Sequence, residues 1–122
     1  MRPGDRTQVP TLVEAVARAA AICDPDREDG SVTAFVESFE DDERPATAVD
    51  DLADVLHSTR RGIDPNGDSA ALAMTVATTV WLSTNPDQTE ERQHVLHEAA
   101  RLGFDDGPPD QVRGWLQERG AT

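Results

Sequence analysis

Two short acidic runs hold the residues best suited to chemistry. The first is Asp24-Pro25-Asp26-Arg27-Glu28-Asp29-Gly30, and the second is Asp64-Pro65-Asn66-Gly67-Asp68-Ser69. Oxygen ligands at alternate positions ahead of a helix are how a calcium loop begins. An EF-hand supplies them at the first, third and fifth positions, with glycine at the sixth and a bidentate carboxylate at the twelfth. Counted from Asp24, the sixth residue is Asp29 and the twelfth is Phe35; counted from Asp64, they are Ser69 and Thr75. Each run therefore opens like such a loop and lacks the carboxylate that closes it. Asp24, Asp26, Glu28 and Asp29 stand as a candidate weak site for calcium or magnesium. The competing reading is a solvated acidic turn that caps the helix after it. The two runs also echo one another, which suggests either two related helix-loop-helix units or one turn chemistry chosen twice.

A second group of candidates is histidine-based. Glu91-x-x-His94 and Asp54-x-x-His57 have the spacing that carboxylate-bridged dimetal bundles use. At about 100° per residue, however, His94 falls opposite the stripe of Val95, Leu96 and Ala99, and Asp54 points away from Leu52 and Leu56. Ligands in such bundles project inward, so these pairs read as surface residues. His57, His94 or His97 would have to supply the acid/base group if the chain were an enzyme. No G-x-S-x-G, H-E-x-x-H or glycine-rich phosphate loop accompanies them. Cys23 is the single cysteine, which excludes an intrachain disulfide, and it reads as a small buried hydrophobe.

The remaining candidates are interaction residues. Trp81 and Trp115 are the only tryptophans, and tyrosine is absent. Tryptophan is enriched at interface hot spots. Trp81 lies inside an apolar segment and is expected in the core. Trp115 lies on a short, polar terminal segment and is the better surface anchor.

What must position these residues follows from composition and periodicity. The chain has 122 residues, 24 acids against 11 basic residues, a net charge of -13 and no lysine. Arg60-Arg61 is the only adjacent basic pair and sits among acids, so there is no basic stripe for nucleic acid phosphates. Such a surface fits a protein kept soluble in concentrated salt, which screens its self-repulsion; a high-GC genome is the other origin of this composition. On the halophilic reading, thermal stability should rise from low to molar salt. No segment is expected to cross a membrane and no secretory signal is recognised, so the chain is expected to be cytoplasmic.

The segment Ala70–Leu82 carries no charge, glycine or proline. A helix apolar on every side belongs in an interior. Around it, Thr11 with Glu14 forms a capping box for a helix to about Ile22. Val32, Phe35, Val36 and Phe39 make the stripe of a helix from Ser31 to about Glu40. Thr47 is placed to cap a helix to about Ser58, with Val49, Leu52, Ala53, Val55 and Leu56 inward. Asn85, Pro86 and Gln88 open a helix to about Leu102, with Val95, Leu96, Ala99 and Leu102 buried. Val112, Trp115 and Leu116 anchor the last helix.

The fold is therefore expected to be all-α: a compact bundle of five or six short helices around a buried central helix at about 69–83. Residues 1–9 read as a loose leader and 10–120 as one helical domain. If the central helix is incompletely covered, its threonine arc (Thr75, Thr78, Thr79) or its Trp81 side would face a second copy, with Leu72, Val76 and Val80 against Phe35 and Phe39. The expected function is a non-enzymatic protein-protein interaction or self-association module without a cofactor. The alternatives are a weak cation-binding protein using the acidic loop 24–29, and a small enzyme with a histidine acid/base.

Overall fold

A computed structural model of the chain describes residues 11–45, 51–66, 69–84, 92–104 and 107–120. Among these the architecture is all-helical, as the sequence implies. The helices are α1 (Leu12–Cys23), α2 (Gly30–Ser38), α3 (Leu52–Ile63), α4 (Ala70–Thr84), α5 (Arg92–Gly103) and α6 (Asp110–Glu118). None is long and apolar enough to cross a membrane. The proposed leader, Thr47, Val49, and the Asn85, Pro86 and Gln88 start signal lie outside the described residues.

α4 is the hub, and all five other helices pack on it. Leu72, Met74, Val76 and Leu82 are buried to 1% exposure or less. Each such side chain contributes about 1.5–3 kcal/mol through removal from water. α1 and α5 make its most extensive contacts, and α2 contributes less than expected. The core is completed by Leu12 and Val16 of α1, Phe35 of α2, Leu56 of α3, Val95 and Leu96 of α5, and Val112 and Leu116 of α6. Phe35 and Phe39 meet edge to face, with ring centroids 5.2 Å apart.

The threonine arc is not the uncovered side. Thr75, Thr78 and Thr79 are fully buried, and Ser83 is nearly so. Thr75 donates its hydroxyl to the Ala71 carbonyl, Thr79 to the Thr75 carbonyl and Ser83 to the Thr79 carbonyl, each at 2.8 Å. A hydroxyl satisfied by the preceding turn needs no water, so a threonine there buries like a valine. Trp81 is also buried. The less covered side of α4 runs through Ala70, Ala73 and Val80, two of which are too small to carry a hydropathy signal of their own.

Backbone accounting explains the ends. The Thr11–Glu14 capping box forms as expected, with Thr11 Oγ1 accepting the Glu14 N–H and Glu14 Oε1 accepting the Thr11 N–H. The segment after α2 returns to this end, where the carbonyls of Arg44 and Asp42 accept the N–H groups of Leu12 and Val13. These would otherwise be unpaired donors of the first turn. Two boundaries move from expectation. α3 begins only at Leu52, after Asp51 adopts a left-handed conformation (φ 55°), and runs through Gly62 to Ile63. α2 begins at Gly30, with Asp29 as its cap.

Candidate functional site

The two acidic runs fold into one device used twice. α1 and α3 both end on an aspartate, Asp24 and Asp64, with nearly the same backbone (φ -142°, ψ 67° and φ -135°, ψ 70°). Asp24 accepts the N–H groups of Glu28 and Asp29, both at 3.0 Å. Asp64 accepts the N–H of Ser69 at 2.8 Å. In each loop the aspartate thus holds the residue five positions on, and that residue caps the next helix. Asp29 Oδ1 accepts the Ser31 N–H at 2.9 Å, and Ser69 Oγ accepts the Leu72 N–H at 3.0 Å. The two caps then meet, as Ser69 donates its hydroxyl to Asp29 Oδ2 at 2.6 Å.

This arrangement bears on the cation-loop candidates. The carboxylates of Asp24 and Asp29 are engaged by backbone and hydroxyl donors, while Asp26 and Glu28 are exposed. Among the described residues no group of three or more histidines, cysteines, aspartates or glutamates is arranged to hold a metal ion. What Asp24 and Asp29 visibly do is terminate one helix and start another.

The histidines do not converge. His57 is exposed on α3, and His94 and His97 are exposed on α5. Asp54, the partner proposed for His57, is exposed as well, and Glu91 lies outside the described residues. Cys23 is fully buried, with its Sγ 3.5 Å from Thr78 Oγ1. Burial pushes its thiol up to about 11, against the smaller opposing effects of Thr78, Thr75, Arg92 and Arg119. A thiol so held stays protonated at neutral pH and is no nucleophile.

Trp115, the better surface-anchor candidate of the two tryptophans, is only 9% exposed and sits in the core beside Leu116. The Arg119 guanidinium lies 3.9 Å from its ring centroid and donates to the Trp115 carbonyl at 3.0 Å. A cation over an indole face covers the part of the ring that packing leaves open. Both tryptophans are therefore spent inside the chain.

A cleft of about 320 Å³ lies over the less covered side of α4. Its floor is Ala73, Val76, Ala77 and Val80. α3 lines one wall with Ala53, His57 and Arg60, and the end of α5 with Val112 of α6 lines the other. The cleft exists because small residues face each other there. Gly103 approaches α4 so closely that a side-chain methyl on it would stand 2.7 Å from Ala77 Cβ.

Leu102 stands at the lip. The sequence placed it on the buried face of α5, yet it is 47% exposed, while Val95, Leu96 and Ala99 are buried as expected. Seven residues after Val95, at about 100° each, the position has drifted toward the edge of the stripe. Leu102 is the exposed large hydrophobic side chain among the described residues.

The polar members of the cleft are His57 and Arg60 of α3 and Gln111 of α6. Arg60 is half-buried, and its Nε is buried with no hydrogen-bond partner among the described residues. Leaving such a donor unmet costs about 1–3 kcal/mol, more when it is charged. His57, one turn earlier, is held below the usual imidazole range by the crowding that removes water from it, and then by the positive charges of Arg60 and Arg61; Asp54 opposes the shift. The cleft is thus a largely apolar slot with a cationic corner on α3 and the Gln111 amide on the α6 side.

A second groove of about 380 Å³ lies between α1 and α2, but it is rimmed by Asp24, Arg27, Glu37 and Glu40 and has no unmet buried donor among the described residues.

Sequence reasoning singled out neither Arg60 nor Leu102 as a cleft residue. The adjacent pair Arg60-Arg61 near a helix end was the only local signal. No family model, no curated protein and no solved structure matches this chain.

Proposed function

We propose that this chain is a non-enzymatic binding module that associates with a second copy of itself through the cleft face of α4. The observation that carries the reading is Leu102, 47% exposed at the lip of an apolar cleft that reaches the central helix. One copy thus offers both a projecting leucine and a slot able to receive one. A two-fold pairing uses the same patch on both partners, so each Leu102 enters the other's cleft.

The charge sets the conditions. Two chains of -13 each repel at low ionic strength. In molar salt the screening length falls to about 3 Å and the repulsion fades while apolar burial persists. Association should therefore strengthen with salt, opposite to a pairing held by ion bridges. Sedimentation velocity at low and molar salt tests this. Wild type should move toward dimer with concentration in molar salt, and Leu102→Gln should stay monomeric. A strictly monomeric wild type in both salts would overturn the proposal.

A further inference from the structure

We propose that His57 makes the self-association pH-dependent: the contact between copies forms when its imidazole is neutral and weakens when the imidazole is protonated. The inference rests on the pairing through Leu102 proposed above. His57 is exposed on α3 and lines the wall of the cleft that an incoming leucine enters. An aliphatic side chain docked there strips water from the imidazole. An imidazolium loses more by that than a neutral ring does, so the two forms differ in their affinity for a second copy. Histidine is also the side chain whose ordinary titration falls between about pH 5 and pH 8. Arg60, beside it in the same wall, keeps its charge throughout and cannot act as the switch.

The surroundings fix the sign. α4, the end of α5 and α6 line the cleft with apolar side chains and the Gln111 amide, none of them charged. α2 also packs on α3, and it contributes no residue to the cleft. Loss of water is the main reason that the His57 imidazole already sits below its usual range in the single chain. The positive charges of Arg60 and Arg61 act in the same direction, and Asp54 opposes them. All three of those charges are on α3 itself. A second copy removes more water, and with Leu102 it brings the Glu98–Arg101 ion pair, whose two charges offset each other. The paired state therefore binds fewer protons than two separate chains. Association is strongest above the imidazole value of the single chain and declines as pH falls below it, toward the lower value of the pair.

Sedimentation velocity of the full chain in molar salt, at about pH 8 and about pH 5.5, reads the effect. The high salt screens the net charge of -13, so its change with pH does not dominate. Circular dichroism confirms the fold at both values. The wild-type pair should dissociate about tenfold more readily at the lower pH, because each pair carries two imidazoles and their preferences multiply. His57→Gln, whatever its own affinity, should associate equally at both. His94→Gln and His97→Gln, at exposed positions of α5 outside the cleft, should keep the wild-type dependence. If His57→Gln does not pair at all, proton NMR of the wild type decides, since the His57 imidazole should titrate lower in concentrated, paired protein than in dilute protein. Pairing of equal strength at both pH values, a dependence that survives in His57→Gln, or an imidazole value indifferent to pairing would each overturn the switch and leave the pairing standing. A wild type that stays monomeric at about pH 8 in molar salt would remove the pairing and the switch with it.

Discussion

The Ser69 hydroxyl donates to the Asp29 carboxylate at 2.6 Å, joining the caps of α2 and α4 across 40 residues of chain. Each partner is already at work locally, Asp29 on the Ser31 N–H and Ser69 on the Leu72 N–H. The link between them turns two separate helix starts into one fixed corner. Removing either cap by substitution with alanine should cost about 1–2 kcal/mol. The double variant should cost less than the sum, by about 1 kcal/mol, because the hydrogen bond between them can be lost only once. Urea unfolding of the four-member cycle measures this, and strict additivity would show that the corner carries no stability of its own.

Gly103 is where α5 comes closest to α4. A methyl group there would stand 2.7 Å from Ala77 Cβ, a distance two carbons do not tolerate. Gly103→Ala should therefore destabilise the fold by about 1–3 kcal/mol, although alanine is the better helix former. Adding Ala77→Gly removes the obstructing methyl. If the clash is the cause, the double variant should recover stability beyond the expected helix penalty of about 1 kcal/mol for the new glycine. No recovery would place the cost elsewhere.

Cys23 titrates in the fold near 11, above its ordinary value of 9.0, because burial disfavours the thiolate. The folded chain should resist Ellman's reagent at pH 8 and react only on opening. The raised value also has a sign for stability. The unfolded chain loses this proton first as pH rises, so the contribution is complete below the ordinary pKa and is lost as pH climbs toward the folded one. Cys23→Ala should flatten the alkaline limb of a stability-against-pH curve. Rapid labelling of folded protein would contradict this placement.

His57 works in the opposite direction. Its folded value lies below the usual imidazole range, so the unfolded chain takes up a proton first as pH falls. Stability associated with His57 is intact above the unfolded pKa of about 6.5 and declines as pH drops from there toward the folded value. His57→Gln should remove that part of the acid-side slope and leave the curve above neutrality unchanged. Thermal melts from slightly alkaline to mildly acidic pH would read it, and an identical slope in both proteins would show that the imidazole titrates as in a free peptide.

Much of the fold could be read from the sequence because the signals were local. The uncharged run Ala70–Leu82 had no stable place except an interior, and α4 is the hub. Thr11 and Glu14 are three residues apart, so a capping box needed nothing from the rest of the chain. The echo of Asp24 and Asp64 was visible as sequence, and the shared backbone geometry follows from a short side chain reaching the next few N–H groups.

The parts that eluded the sequence depend on which helix lies over which. Hydropathy offered the Thr75, Thr78 and Thr79 arc as a side that a second copy could cover, but the backbone of α4 satisfies two of those hydroxyls and α1 packs against the same helix. Trp115 was the better surface-anchor candidate of the two tryptophans, and the α6–α4 contact with Arg119 closes it in. Leu102 was expected inside, and the turn of α5 carries it to the lip. The cleft itself has no sequence signature. It is the space left when Gly103 meets Ala77 and Arg60 finds no acid among its described neighbours. Periodicity is a property of one helix, so the sequence determined which helices form and which must be central. Coverage is a property of several helices at once, so only the tertiary structure decided which face of the centre stays open.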